Sequence, residues 1–441
     1  MALLALLAAA AAALLVVYAV LARRDASVAA VVVVGDVARS PRMCYHATSL
    51  LQHGWTVRLL GYFDTPLPAA LQTPRVQRVA LYRTPDCVAR WPRALFPLVA
   101  LVKVPLVALS LFAALALRAS PAVVVVQTPP AIPTLLVARI ATVLSGARLI
   151  IDWHNLGYTI LALKLGAAHP LVSLAARLEA WSGRTADAHL FVTRAMRDTL
   201  CARWRLRGAA RVLYDRPGPQ FRRIDAAERA ALRARFAREL GAPGLAGGHA
   251  LVITSTSWTP DEDMDVLLDA ASTYERLAQA PRARLPPLAV VITGKGPLRA
   301  TYEARFAARA RDERWTHVGV STAWLAAEDY PRLLGCADVG VSLHRSSSDL
   351  DLPMKVVDLL GCRAAVCALD FGCLHELIES GTNGAVFADA DGLAHALAAQ
   401  LRGYPEAHAA QGIAKAFPRG TPETWAESWD AAVAPLLPSG P

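Results

Sequence analysis

Only five lysines stand beside 41 arginines in this 441-residue sequence, its seven cysteines contain no CxxC pair, and no GxGxxG follows its first hydrophobic run. The cysteine spacing excludes a structural zinc knuckle and a secreted disulfide scaffold, and it fits a reducing compartment. With 54% hydrophobic and 19% charged residues, the chain is neither disordered nor small, and its length divides naturally into two compact domains. Carboxylates are scarce in the first half. Residues 1–250 hold 30 Lys/Arg against 12 Asp/Glu, a net of +18, whereas residues 251–441 hold 16 against 24, a net of −8. Such a split points to an N-terminal half that faces something anionic and a C-terminal half with a different task.

That anionic partner need not be a nucleic acid, because no module of interleaved aromatic and basic residues recurs. The first 22 residues carry no side-chain charge and are followed at once by Arg23 and Arg24. This is enough apolar length to cross a bilayer, and a cleaved signal would place its basic residues before the apolar run. An uncleaved anchor with the remaining chain on the cytoplasmic side is expected. A second apolar stretch, residues 95–117, is interrupted by Pro97, Lys103 and Pro105 and ends at Arg118. An amphipathic or re-entrant segment at the membrane surface suits it, with a buried helical hairpin and a second span as alternatives. Arg83, Arg90, Arg93 and Arg118 around it suit anionic headgroups or a lipid-linked phosphate.

After the anchor the sequence alternates strand and helix. The run SVAAVVVVGD reads as a fully buried parallel strand, and short strands follow at 55–61, 76–81, 122–127, 149–153, 188–192 and 211–214. Helices fit 132–144, 170–184 and 222–239, after which GAPGLAGG reads as a junction. The pattern restarts with strands at 250–257, 288–294, 315–318, 337–343 and 364–369 separated by helices at 263–278, 298–310, 324–335 and 354–360. The fold class is α/β with two Rossmann-like lobes. Ligands are expected at the carboxyl ends of both sheets, in an interlobe cleft.

Candidate chemistry gathers at strand ends. In the second lobe, VVITGKGPL places Gly294, Lys295 and Gly296 just before a helix, where free amides and a lysine suit a phosphate. Lys355 lies at another strand-to-helix transition of the same lobe. The loop before it carries Ser346, Ser347 and Ser348, which can cap a helix or donate to phosphate oxygens, and Asp358 one turn further can accept sugar or ribose hydroxyls. A turn after the next strand holds His375 and Glu376. In the first lobe, the strand LIIDW delivers Asp152, Trp153, His154 and Asn155, with Gly157 and Tyr158 turning the chain. Four consecutive polar or amphipathic side chains at a buried strand end must bond one another or a ligand. Either Asp152 or His154 can serve as general base, the other orienting it or binding sugar. Arg39, Ser40 and Arg42 after the first strand can clamp an acceptor phosphate. No second cluster of histidines or cysteines supports a metal site.

The stretches GDVARSPRMCYHA, DWHNLGYTIL, LYDRP, TSTSWTPDEDMDVLLDA, VITGKGPLR, SSSDLDLPMKVVDLLGC and CLHELIESGTNGAVF occur in order between about residues 28 and 388. In them the chain resembles the β-1,4-mannosyltransferases of the dolichol pathway, which add the first mannose to chitobiosyl-diphospho-dolichol. The resemblance implies a GT-B architecture, which with the anchor at 1–22 divides the chain into an acceptor lobe over 28–240 including the membrane-associating segment and a donor lobe over 249–420. The tail at 421–441, with Trp425, Trp429 and Asp430, suits a helix bracing one lobe on the other or ordinary surface packing. It implies GDP-mannose as donor, bound mainly by the second lobe, where the candidate residues are Gly294, Lys295, Gly296, Ser347, Ser348, Lys355, Asp358 and Glu376. It implies a lipid-linked chitobiose acceptor bound mainly by the first, basic lobe, where Arg39, Ser40, Arg42, Asn155 and Tyr158 are the candidates, and inversion at the anomeric carbon with no covalent intermediate. No cofactor or metal is expected, the location is the endoplasmic reticulum membrane, and other mannosyltransferases of the pathway are candidate partners. The wider superfamily carries two glutamates eight positions apart at the donor loop; here Asp358 stands for the second, and Leu350, flanked by Asp349 and Asp351, occupies the place of the first.

Overall fold

The computed structural model describes residues 24–85, 96–116, 119–259, 262–405, 416–418 and 420–439. The expected anchor over 1–22, and with it Arg23, Arg90, Arg93 and Arg118, lies outside the described residues. Among those described, no helix is long and apolar enough to cross a membrane. The chain forms two compact units: the first ends at Tyr214 and takes in the C-terminal stretch from Ala426, and the second runs from Asp215 to Trp425.

Valine-rich runs build the first sheet. Strands β1 (Arg24–Asp36), β2 (Thr56–Tyr62), β3 (Val76–Ala80), β4 (Ser120–Thr128), β5 (Arg148–Trp153), β6 (Ala188–Phe191) and β7 (Ala209–Val212) pair in the order β3-β2-β1-β4-β5-β6-β7. Every pairing is parallel. Val31, Val32, Val124 and Val126 are wholly buried, as a sheet covered on both faces requires. Helix α1 (Pro41–Gln52) joins β1 to β2, while α2 (Phe96–Ala116), α3 (Thr134–Ser145), α4 (Gly157–Leu165), α5 (Pro170–Gly183) and α6 (Arg194–Trp204) lie in crossovers that step from β3 toward β7. Right-handed crossovers place helices on opposite faces when the direction of stepping reverses. The helices α2 to α6 therefore share one face of the sheet, and α1 covers the other.

Segment 95–117 contributes one helix, α2, with Pro105 inside it, so the hairpin alternative does not apply. Val107, Leu111 and Leu115 of α2 are buried, whereas Leu101, Val102 and Leu109 are exposed.

The second unit opens with α7 (Ala226–Glu239), capped by the Asp225 carboxylate accepting from the Glu228 amide. Strands β8 (Ala250–Ser255), β9 (Leu288–Thr293), β10 (Val318–Ala323), β11 (Val339–Ser342), β12 (Ala365–Leu369) and β13 (Gly384–Phe387) form a parallel sheet in the order β10-β9-β8-β11-β12-β13. Helices α8 (Met264–Gln279), α9 (Arg299–Asp312), α10 (Asp329–Gly335), α11 (Met354–Gly361) and α12 (Ala390–Gln400) complete it. The boundary at Tyr214 precedes the expected one near residue 240 because α7 belongs here. Its Arg229 and Arg233 hold the buried Asp338 carboxylate, which also accepts from the Leu251 amide at 2.8 Å.

Strand β10 begins at Val318 and not at the expected Trp315. The Glu275 carboxylate takes the amides of Thr316, His317 and Val318 at 2.7, 2.8 and 2.9 Å, so the chain wraps a side chain just before it enters the ladder. Helix α13 (Trp425–Ala432) then carries the chain into the first unit, where the buried Trp429 packs beside α1.

Candidate active site

In a doubly wound sheet the chain leaves a crevice where adjacent crossovers diverge, at the carboxyl ends of the central strands. In the first unit that point lies between β1 and β4, next to the end of β5. Asp152, one residue before the end of β5, is wholly buried. Arg42 from α1 grips it through both oxygens, Nε to Oδ2 and Nη2 to Oδ1, each at 2.8 Å. His46 Nε2 lies 3.0 Å and His154 Nε2 2.8 Å from Oδ2. Burial alone would raise the Asp152 carboxyl, but Arg42, then His154 and the two imidazole hydrogen bonds, hold it well below the usual carboxylate range.

This arrangement fixes protons as well as positions. The Trp429 indole N–H donates to His46 Nδ1 at 3.0 Å, and an indole can only donate. His46 therefore carries its proton on Nε2 and donates it to Asp152. Burial, the largest influence, keeps the His46 imidazole below its ordinary pKa, so it is neutral. His154 likewise turns Nε2 toward Asp152, which leaves Nδ1 as its free lone pair. Its backbone is pinned by an N–H bond to the Thr128 carbonyl at 3.1 Å. The side chain of His154 is 19% exposed where that of Asp152 is 0%, so the imidazole is the member of this pair that a substrate can reach.

Trp153 is satisfied internally, donating from Nε1 to His189 Nδ1 at 3.2 Å. The amides of Gly157 and Tyr158, the free N–H groups that open α4, donate to the buried Glu179 at 3.0 and 3.1 Å. Burial pushes the Glu179 carboxyl up to about 7.

The other acceptor-side residues divide. Arg42 is not available to clamp a phosphate, since its fork is taken by Asp152 and its Nη1 donates to the Leu213 carbonyl at 2.8 Å. Arg39 is exposed and pairs loosely with Asp36 at 3.5 Å, and Ser40 donates to Gln127 Oε1 at 2.6 Å. Asn155 turns its Oδ1 back onto the Leu156 amide at 2.7 Å, and the Tyr158 hydroxyl accepts from Arg203 at 3.2 Å.

In the second unit Gly294 and Gly296 have a structural reason to be glycine. A Cβ on either would lie 1.8 Å from the backbone oxygen of Thr256 or Ser257, and Gly294 sits at φ +140°. The crossing of these two loops leaves Lys295 exposed between them. Lys355 is held by Glu262, its Nζ 2.7 Å from Oε1, while Glu262 also accepts from Thr256 Oγ1 and, at 3.0 Å, the Ser257 amide. Lys355 thus links α11 to the loop after β8. Ser348 donates to Asp351 at 3.0 Å and Ser347 stands half-buried beside it. Asp358, on the first turns of α11, is raised to about 7 by burial and then by the nearby Asp215. Glu376 is buried in a tight turn.

The sequence marks no role for His46, Glu262 or Asp215, and Trp429 only as part of the terminal helix. Glu262 and Asp215 lie within the quoted strings TSTSWTPDEDMD and LYDRP, whereas nothing local marks Trp429 as a partner of His46, 383 positions away. Among the described residues no group of three His, Cys, Asp or Glu side chains is placed to hold a metal.

Two doubly wound parallel sheets of this kind, together with the family matches that follow, place the chain among glycosyltransferases of the GT-B fold. Residues 40–218 match the family model described as glycosyl transferase 4-like domain, and residues 248–402 match glycosyl transferases group 1. Among solved structures, Anabaena Alr3699/HepE in complex with UDP and glucose aligns with a TM-score of 0.58 at 15% identity, covering 93% of this chain and 97% of that one. An E. coli structure with bound UDP-2-fluoro glucose gives a TM-score of 0.60 at 12% identity, over 93% and 99% of the two chains.

Sequence relatives narrow the class. The Homo sapiens protein named chitobiosyldiphosphodolichol beta-mannosyltransferase is 40% identical over 446 residues, 94% of this chain and 93% of that protein. The protein of that name from Kluyveromyces lactis is 38% identical over 92% of this chain and 89% of its own. An Arabidopsis thaliana relative named UDP-glycosyltransferase TURAN is 37% identical over 93% and 97%. The chain belongs to the chitobiosyldiphosphodolichol beta-mannosyltransferase family.

Proposed function

We propose that this enzyme transfers mannose from GDP-mannose to the terminal N-acetylglucosamine of chitobiosyl-diphosphodolichol, forming a β-1,4 linkage with inversion. The observation that carries the reading is the His154–Asp152 pair, on a chain that is 40% identical to a relative named for this reaction. His154 is the general base. As the acceptor 4-hydroxyl oxygen attacks the mannose C1, its proton passes to His154 Nδ1. Asp152 holds the opposite ring nitrogen and stabilises the imidazolium that forms. The bond from C1 to the phosphate oxygen breaks and its electron pair leaves with GDP.

Lys295 and the amides around Gly294 and Gly296 stabilise the charge that grows on the diphosphate. Asp358 accepts sugar or ribose hydroxyls, and Ser347, Ser348, Lys355 and Glu376 complete the donor side. On the acceptor side, Arg39 with Ser40, Asn155 and Tyr158 bind the lipid-linked disaccharide. Arg42 contributes by fixing Asp152. We place the enzyme at the endoplasmic reticulum membrane with its catalytic units in the cytosol, and we assign it no metal.

The test combines purified full-length protein with GDP-mannose and phytanyl- or dolichyl-diphosphate chitobiose, reading product linkage and anomeric configuration with and without chelator. A β-1,4-mannosylated product that is insensitive to chelator is expected. Absence of that product, or retention of configuration, overturns the proposal. The UDP-glycosyltransferase name of the Arabidopsis relative favours a second reading, a uridine-linked donor. A donor panel separates the two, and preference for a UDP-sugar would replace GDP-mannose.

A further inference from the structure

A helix that covers a sheet normally turns its apolar stripe inward and presents polar residues to water. On α5, Leu171, Leu174, Leu178 and Trp181 recur at helical spacing, yet they are 41%, 50%, 39% and 64% exposed. On α3, Leu136, Ile140 and Val143 form a stripe of the same kind at 40%, 40% and 61%, while the opposite side, with Leu135 and Ala138, is buried on the sheet. Val102, Leu106 and Leu109 repeat the pattern on α2 at 62%, 37% and 66%. These helices adjoin one another: α2 packs on α3, α3 on α5 and α5 on α4. Helix α4 itself, largely apolar, contains no buried residue. One face of the sheet thus carries successive helices that turn apolar side chains outward.

Charge identifies the occupant. No Asp or Glu occurs between Asp86 and Asp152, and the one carboxylate within the four helices, Glu179, is buried beneath α4. The exposed charges on the helices are Lys103, Lys164 and Arg177, all positive. An apolar surface interspersed with cations and free of exposed carboxylate complements an anionic lipid surface, where lysine and arginine stems lie along the apolar region and their charges reach the headgroups.

We infer that the outer face of α2, α3, α4 and α5 docks on an anionic lipid bilayer, with these stripes entering its interfacial region. Segment 95–117 is then one edge of a platform that includes three further helices. Resting on the reading of His154 as the base, the platform has a second consequence. Helix α4 starts at Gly157, three residues after His154, so a lipid-linked acceptor can pass along α4 to the imidazole without exposing its chain to water.

The test uses full-length protein reconstituted in phosphatidylcholine vesicles with and without phosphatidylserine. An environment-sensitive fluorophore is placed at Val143→Cys and Leu174→Cys on the platform, and at Gln52→Cys on the opposite face of the sheet as a control. Blue-shifted emission at 143 and 174, quenched by a lipid-embedded quencher and stronger with phosphatidylserine, is expected, with water-like emission at 52. Water-like emission at all three positions overturns docking. A concentration-dependent blue shift that lipid quenchers do not reach also overturns it, because a second copy then covers the face.

A turnover arm uses Val143→Glu/Leu174→Glu. The variant should lose about tenfold with a vesicle-embedded acceptor and match wild type with a short-chain, water-soluble one. Equal loss with both acceptors points to misfolding or general damage and overturns the docking interpretation of that arm. Absence of turnover in wild type with either acceptor defeats the acceptor assignment, while the fluorescence result still decides docking.

Discussion

The two candidate sites, one in each unit, organise polar side chains in opposite ways. In the first, a charged knot is closed before any ligand arrives: Asp152 has three side-chain partners, and both it and Arg42 are buried. In the second, Lys295 stands exposed on a glycine-framed loop and Asp358 sits half-buried with its carboxyl raised to about 7. A base must be held in one tautomer before its proton transfer, and tight packing does that. A diphosphate brings its own charge and needs cations that can close on it. The first arrangement makes stability and catalysis inseparable, whereas the second separates them.

The sharpest way to break this contrast is Asp152→Ala. It strands the Arg42 guanidinium in the interior, so a loss of about 3–5 kcal/mol is expected in denaturant unfolding, together with loss of turnover. A melting curve unchanged from wild type would show that the knot is not what holds this region. Removing the imidazole while keeping the knot is gentler. His154→Ala should fold normally and lower kcat by about 10² to 10⁴, with donor affinity unchanged; turnover near wild type would exclude His154 as base.

On the open side, Lys295→Ala should leave the melting temperature in place and weaken GDP binding by about tenfold or more, the worth of a hydrogen bond to a charged group. Calorimetric titration with GDP reads it, and an unchanged affinity removes Lys295 from the donor site. A smaller effect is expected from Trp429→Phe, which preserves most of the packing but deletes the donor to His46 Nδ1. His46 is then free to change tautomer and Asp152 loses a fixed partner. A fall in kcat of about two- to tenfold, with donor KM unchanged and a displaced pH–rate profile, marks Trp429 as a positioning residue. A parallel change in kcat and melting temperature with no profile shift reduces it to packing.

The same contrast explains what was legible beforehand. Strand-helix alternation was plain because fully buried parallel strands read as unbroken Val, Ile and Leu runs, and both sheets follow them closely. DWHN stood out because polar side chains at a buried strand end demand partners. The identity of those partners was not legible: Arg42 read as a phosphate clamp, since its approach to Asp152 spans 110 positions. The same limit hid His46 and Trp429, and the Arg229/Arg233 grip on Asp338 that places α7 in the second unit. Periodicity reports which face is buried, not which distant group waits there.

Asp358 gives the finest test of the open site, because its cost should depend on pH. Its carboxyl is raised from 3.8 to about 7 by burial and by Asp215. A raised carboxyl contributes stability that is fully present below its ordinary pKa and is lost as pH rises through the folded value. Wild type should therefore lose stability relative to Asp358→Asn across roughly pH 4 to 7 and hold a constant deficit above that window. Each kcal/mol of deficit appears as about 2–4 °C in melting temperature for a unit of this size. A difference between the two proteins that stays flat with pH would mean that Asp358 ionises as an ordinary surface carboxylate. If sugar or ribose hydroxyls donate to this group, saturating GDP-mannose should favour its ionised form and flatten the wild-type profile. Free sulfate, which has no hydroxyl to donate in this range, should leave the slope as it was.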